Sequence, residues 1–329
     1  MTGLLEQREK LRSFYGKYER YIGTGVKFLL AVVAFFLINS KMGYMDKLNN
    51  PAVPLILALV CAFLPINTTV VFASILMLAH LAALSLEACI IALCLFLLMF
   101  FMCYKFILKD GYSMILTPIM CSINLPQVMP VAMGLLKGPA SGLSMICGVI
   151  TFYYMKGIQE HIVNFTASED SEVTSKITVA LKVLIENKEM YVVLAAFILT
   201  TIVVYIIRRQ SFDHAWKIAL ITGNIVELIV MLIGFVVIGR GDKIGWLIGG
   251  IALSVLISLG LEFFLYNLDY SRVERVQFED DEYYYFVKAV PKVYLTETNK
   301  RVKQITHHKS TINRKKLAEE LDIDQDLLD

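Results

Sequence analysis

The sequence predicts an all-α polytopic membrane protein: about eight transmembrane helices, one broken or re-entrant segment, a small C-terminal β-hairpin and a short terminal helix. Composition is the first support. Of 329 residues, 57% are hydrophobic and 18% charged, where a soluble domain carries about a quarter charged residues. Charge segregation is the second. Residues 26–158 hold few charges, while the first 20 and last 60 are dense with them, the pattern of a membrane body with two water-facing ends. The third is the run from Tyr112 to Gly142, YSMILTPIMCSINLPQVMPVAMGLLKGPASG, apolar yet carrying Pro118, Pro126, Pro130 and Pro139. Each proline removes a backbone donor and is expected to kink or break a helix. Hydrocarbon tolerates this only where protein or trapped water satisfies the freed groups. Other spans are therefore expected to enclose this segment, with its broken backbone lining an interior.

Residues 1–22 mix Arg8, Lys10, Arg12, Lys17 and Arg20 with apolar residues at roughly helical spacing. This suits an amphipathic cytoplasmic lead-in at the membrane surface, or a merely solvated one. Nine apolar stretches follow, near 26–39, 51–64, 66–84, 86–107, 113–136, 139–157, 190–207, 217–239 and 244–268. A full span needs about 20 residues. The stretch 51–64 is short and bounded by prolines, and 113–136 is interrupted, so at least one stretch is expected not to cross. Basic residues place the N-terminus, the loop around Arg208, Arg209 and Lys217, and the tail opening with Arg272 and Arg275 in the cytoplasm. Both termini on one side require an even number of crossings, and eight is the expectation. Arg240 and Lys243 then fall outside, against the trend.

The chain divides into a first membrane block (26–157), a polar insert (158–189), a second membrane block (190–268), a hairpin (272–295) and a flexible segment with a short helix (296–329). Within the insert, Ile177, Leu181, Leu184 and Ile185 make an apolar face suited to an interfacial helix. The hairpin, RVERVQFEDDEYYYFVKAVPKVYL, reads as two strands joined by an acidic turn. A lone hairpin is marginal in water, so Tyr283, Tyr284, Tyr285 and Phe286 are candidates for binding a partner, whether another subunit, a second copy or the bilayer. The net charge of +2 gives no reason to expect nucleic acid as a partner.

Ionisable groups inside a membrane are functional candidates by default. Glu227 sits near the middle of its stretch with Asn224 three residues earlier on the same helical face. Such a carboxyl group can bind a cation, relay a proton or hydrogen-bond another helix, and Gly223 allows a close approach beside it. His80 near the end of one stretch and Glu87 at the start of the next can face each other across a tight turn, as a relay or as ordinary interfacial groups. Asn124 and Gln127, with carbonyls freed near Pro126 and Pro130, can form a polar site between half-helices; alternatively the prolines merely kink one long span. Gly245 and Gly249 make a small-residue face.

The six cysteines lie in apolar stretches without CxxC spacing and read as packing residues. No metal or cofactor is expected. The phosphate-binding loop, the HExxH zinc motif and the GxSxG elbow are all missing, so an enzyme is not the expectation, although an intramembrane one built on His80 and a carboxylate is a third reading.

The run RVERVQFEDDEYYYFVKAVPK resembles the end of an uncharacterised family of bacterial multi-pass membrane proteins, sometimes labelled ABC-transporter permeases. The resemblance implies a bacterial cell membrane location and a transport-related subunit, with a separate ATPase as a possible partner. The competing reading is a non-transporting scaffold that recruits partners through its cytoplasmic tail.

Overall fold

The computed structural model describes residues 2–166, 173–210, 214–265, 274–279 and 284–289. The chain forms two units, of which the first covers Gly3–Asn267 and the second Leu268–Asp329. The first is all-α. Its helices are α1 (Thr2–Met42), α2 (Ala52–Phe63), α3 (Ile66–Leu84), α4 (Leu86–Ser122), α5 (Val128–Leu136), α6 (Ala140–Glu160), α7 (Ile162–Thr166), α8 (Val173–Ile185), α9 (Lys188–Arg208), α10 (Ala215–Ile238) and α11 (Ile244–Leu265), with a 3-10 turn at Gly241–Lys243. In the second unit, strands β1 (Glu274–Glu279) and β2 (Tyr284–Ala289) pair antiparallel, with Glu274 opposite Ala289. Tyr284, Tyr285 and Phe286 belong to β2. Tyr283 and the helix expected within 296–329 lie outside the described residues.

The distribution of side chains on α10 identifies its solvent. Ile218, Ile221, Ile225, Ile229 and Ile233 form one exposed stripe, while Asn224 and Glu227 are buried. In water the apolar stripe would face the core. Turned outward it meets hydrocarbon, and the polar groups go inside. This is the pattern of a membrane protein.

Among the described residues, five stretches are long and apolar enough to cross a membrane by themselves: Ser13–Met42, Ile66–Leu84, Lys176–Arg208, Ala215–Ile238 and Gly241–Phe264. The expected eight are not met by this measure, for particular reasons. α2 has 12 residues, or about 18 Å of helix against roughly 30 Å of hydrocarbon. α6 is long enough but carries Ser141, Ser144, Thr151, Tyr153 and Tyr154 among its buried residues. The stretch 113–136 is two helices. The N-terminal lead-in is not a separate element either. It runs into the first apolar stretch as α1, with one non-helical residue at Tyr18.

α4 is likewise two arms. Its non-helical residue is Asp110, at φ −127°, not a proline. Tyr154 on α6 donates to Ala88 O on the first arm at 2.8 Å, and Gly148 on α6 abuts Thr117 on the second. A straight 37-residue helix would be about 55 Å long, and could not lay both points against six residues of α6. The chain therefore bends back around Asp110. Pro118 sits in the second arm without breaking it. Its missing N–H leaves Met114 O without the usual partner, and α6 closes over the spot. A Cβ on Gly148 would lie 2.8 Å from Thr117 Cβ, 3.1 Å from Pro118 Cδ and 3.2 Å from Met114 O. Pro130 falls in the first turn of α5 and Pro139 at the N-cap of α6, where no backbone donor is required. Neither kinks a helix.

The apolar face expected on the insert lies on the exposed side of α8. On α8, Ile177, Leu181 and Ile185 are exposed, while Ala180 and Val183 are buried. Val183 meets Gly157 of α6. Where the surroundings are apolar, small residues take the inner face and large aliphatic ones can point outward.

Replacing Gly148 with valine is expected to lower thermal stability in mild detergent by about 1–3 kcal/mol through overpacking. Gly142→Ala, where a Cβ meets nothing within 4 Å, should leave the unfolding midpoint unchanged or slightly raised.

Candidate functional site

The broken segment forms a helical hairpin inside the helix bundle. The second arm of α4 ends in a Schellman-type stop: Leu125 N–H donates to Met120 O at 2.8 Å and Asn124 N–H to Cys121 O at 3.2 Å. Asn124 occupies the left-handed position at φ 59°, which asparagine adopts more readily than most residues. Asn124 is thus first of all a turn residue. Pro126 follows in the link, and α5 then begins. Eight of the nine residues of α5 are buried. Ser113 on the α4 arm donates to Met133 Sδ at 3.1 Å, joining the two limbs.

Charged residues close the base of this hairpin. Lys137 pairs with Asp110 at 2.6 Å. The Arg208 guanidinium donates to Leu135 O and, at 2.7 Å, to Lys137 O, and so covers carbonyls that the end of α5 leaves without helical partners. It also lies 5.4 Å from the Tyr205 ring and 5.6 Å from that of Trp216. Thr201 on α9, whose hydroxyl donates to Phe197 O at 2.7 Å, also brings Oγ1 to 3.4 Å from Pro130 O. Together these contacts run α5 parallel to α9.

At the tip, Gln127 is 4% exposed. Its side chain lies over Gly250 of α11, where a Cβ would come within 2.5 Å of Gln127 Oε1, and Ser254 donates to its backbone carbonyl at 3.2 Å. Gly245 and Gly249 have nothing within 4 Å, so the small-residue face expected there is corrected: close approach falls at Gly250.

Above the tip is a cavity of about 780 Å³. Asn124, Pro126 and Gln127 line it, with apolar walls that include Met77, Ile119, Phe152 and Met231. One end is charged. Glu189, in the first turn of α9, accepts from Lys243 and, at 3.1 Å, from Tyr153 OH. Lys156 stands 3.9 Å from both Glu189 and Glu160. In the sequence Lys243 only runs against the charge bias. Its partner Glu189 is 54 residues away, and no local pattern announces the pair.

Glu227 lies midway along α10 and is 0% exposed, with neither carboxylate oxygen hydrogen-bonded. Asn224 is 2% exposed; its Nδ2 donates to Leu220 O at 2.8 Å, and its Oδ1 has no partner. Gly223 brings α9 close, since a Cβ there would fall 2.2 Å from Val204 Cγ2.

His80 and Glu87 are not brought together as a pair. His80 is fully buried, its Nε2 3.0 Å from Asn39 Oδ1 and its Nδ1 accepting from Met45 N–H at 3.3 Å. The tautomer these partners require carries its proton on Nε2. Asn39 in turn donates to Leu48 O at 2.7 Å, so His80 ties α3 to the end of α1 and the loop after it. Glu87 accepts from Ser85 Oγ at 2.6 Å in the first turn of α4, where a carboxylate is favoured by the helix N-terminus. Among the described residues no group of three or more His, Cys, Asp or Glu could hold a metal ion.

No known protein family, curated protein or solved structure matches the chain.

His80→Ala strands Asn39 Oδ1 and the Met45 N–H, and is expected to cost about 1–3 kcal/mol, read as a lowered unfolding midpoint. Glu87→Gln should stay within about 0.5 kcal/mol. Equal losses would contradict the separate roles given to the two residues.

Proposed function

We propose that this chain is a membrane transport subunit in which substrate reaches the tip of a re-entrant hairpin through the cavity above it. The observation that carries the reading is that the cavity is lined by Asn124, Pro126 and Gln127, the segment where helix is interrupted. Non-helical backbone at membrane depth is tolerated where it is buried in protein or lines a cavity, and discontinuous helices of this kind form substrate sites in transporters.

The topology belongs to the same proposal. The crossings are α1, α2, the first arm of α4, α3, α6, α9, α10 and α11, eight in all, with α2 the shortest. The second arm of α4 and α5 enter and leave from one side. Lys137, Arg208, Arg209 and Lys217 then fall on the side of the N-terminal basic residues, which makes that side cytoplasmic. The charged end of the cavity faces the opposite side. A tail that offers β1 and β2 to a partner, such as an ATPase, fits the resemblance of the 272–292 run.

The test is thiol accessibility. In a background with the native cysteines replaced, Asn124→Cys should react with a membrane-impermeant maleimide from the outer face of intact cells. A fraction should also react from the cytoplasmic face of inverted vesicles, because a transport site must open both ways. Reaction from one face alone under every condition overturns the transport reading and leaves a platform that recruits partners.

A further inference from the structure

Helices α9 and α10 and the residue that caps α5 bring a set of unpartnered oxygens to one depth of the bundle. Glu227 Oε1 and Oε2, Asn224 Oδ1, Thr200 Oγ1 and Gln127 Oε1 are all buried without hydrogen-bond partners. Two close approaches between α9 and α10 set their register: a Cβ on Gly223 would meet Val204, and one on Gly234 would meet Val192. Four residues back from Val204 along α9 and four on from Gly223 along α10 put Thr200 level with Glu227. Asn224 lies one turn below on the same face.

This group has acceptors in surplus. Glu227 offers two oxygens and Asn224 one, while the Asn224 amide already donates to Leu220 O. Among the described residues the donors at that level are the Thr200 hydroxyl and the Gln127 amide, both neutral. Among the described residues, no charged side chain faces the carboxyl group from α5, α9 or α11, or from α10 itself. α5 carries no titratable residue in Val128–Leu136. On α9 the charged residues are Lys188, Glu189 and Arg208, at its two ends. α11 has only Glu262, near its far end, and α10 itself only Lys217, in its first turn. A buried carboxylate without a counter-charge is far costlier than the neutral acid.

The position is also sealed from both directions. Met231, one turn above Glu227 on the same face, lines the cavity. Below, Val131, Val204, Ala219 and Leu220 pack as an apolar cluster.

We propose that Glu227 is a proton-carrying site coupled to the cavity, held closed as the neutral acid with Asn224 and Thr200 as its polar neighbours. Opening at Met231 admits water, to which the carboxylic acid gives its proton, leaving carboxylate and hydronium. Return of a proton from water restores the acid and the closed state. A sodium ion fits less well, because the helical carbonyls are engaged and the side chains supply only a few of the ligands it requires. The inference rests on the transport reading of the cavity, but its test is separate.

The full-length protein, reconstituted in lipid, is examined by infrared difference spectroscopy against pH. A protonated carboxyl band sensitive to deuterium exchange is expected, lost at high pH and absent from Glu227→Gln but retained in Glu189→Gln. In parallel, Asn124→Cys labelling, taken relative to a water-exposed reference cysteine at each pH because the thiolate is the reacting form, should change with the same pH dependence and lose that dependence when Glu227→Gln is added. A band that never titrates, or labelling that ignores pH in the parent, reduces Glu227 to a structural hydrogen bonder and overturns the proposal. Loss of the band on adding sodium at constant pH overturns it in favour of a sodium site. PH-dependent labelling from one face only would sink the transport reading while leaving the proton site standing.

Discussion

The Arg208 guanidinium holds the end of a helix that stops inside the protein. α5 is nine residues long with eight of them buried, and the carbonyls of its last turn have no partners within the helix. Arg208 covers two of these carbonyls from the end of α9, and the Lys137–Asp110 pair fastens the same base to the bend in α4. At the other end, the Asn124 turn uses backbone donors to close the carbonyls of the rising arm. With both ends satisfied, a short hairpin can stand within the bundle where an open loop could not.

The cavity follows from the hairpin. Because the α4 arm and α5 fill only part of the depth, the space above the tip is left to side chains of α1, α3, α6, α9, α10 and α11. Glu189 organises its charged end, receiving Lys243 from the turn before α11 and Tyr153 from α6. Three elements are thereby linked at the end opposite to Arg208. One charged cluster secures the hairpin's base, the other the rim of the cavity, and the uncompensated carboxyl of Glu227 lies between them.

Some of this is visible in one dimension. Glu227 stands out because an ionisable residue in an apolar run needs no neighbour to be noticed, and the proline-rich run announces broken helix because proline's effect is local. Other features are not visible that way. The bend at Asp110 has no proline, and Pro118, which looks like a break, is absorbed because Gly148 backs onto it. His80 invites pairing with Glu87, seven residues away, yet its partners are Asn39 and Met45, brought in by the return of α3 alongside α1.

Composition and charge segregation determined by themselves that this chain is a helical membrane protein, that its apolar stretches are interrupted near residue 124, and that a carboxyl group lies deep within one of them. These are properties of residue type and spacing along a single segment. Tertiary structure alone decided that the interruption is a hairpin enclosed by α9, α10 and α11, that Arg208 and Glu189 anchor opposite ends, and that Glu227 lies beneath a cavity without a counter-charge. Each of these depends on the register between helices far apart in sequence, set by close contacts such as those at Gly148, Gly223 and Gly250, and no period along one helix encodes which residue of another will face it.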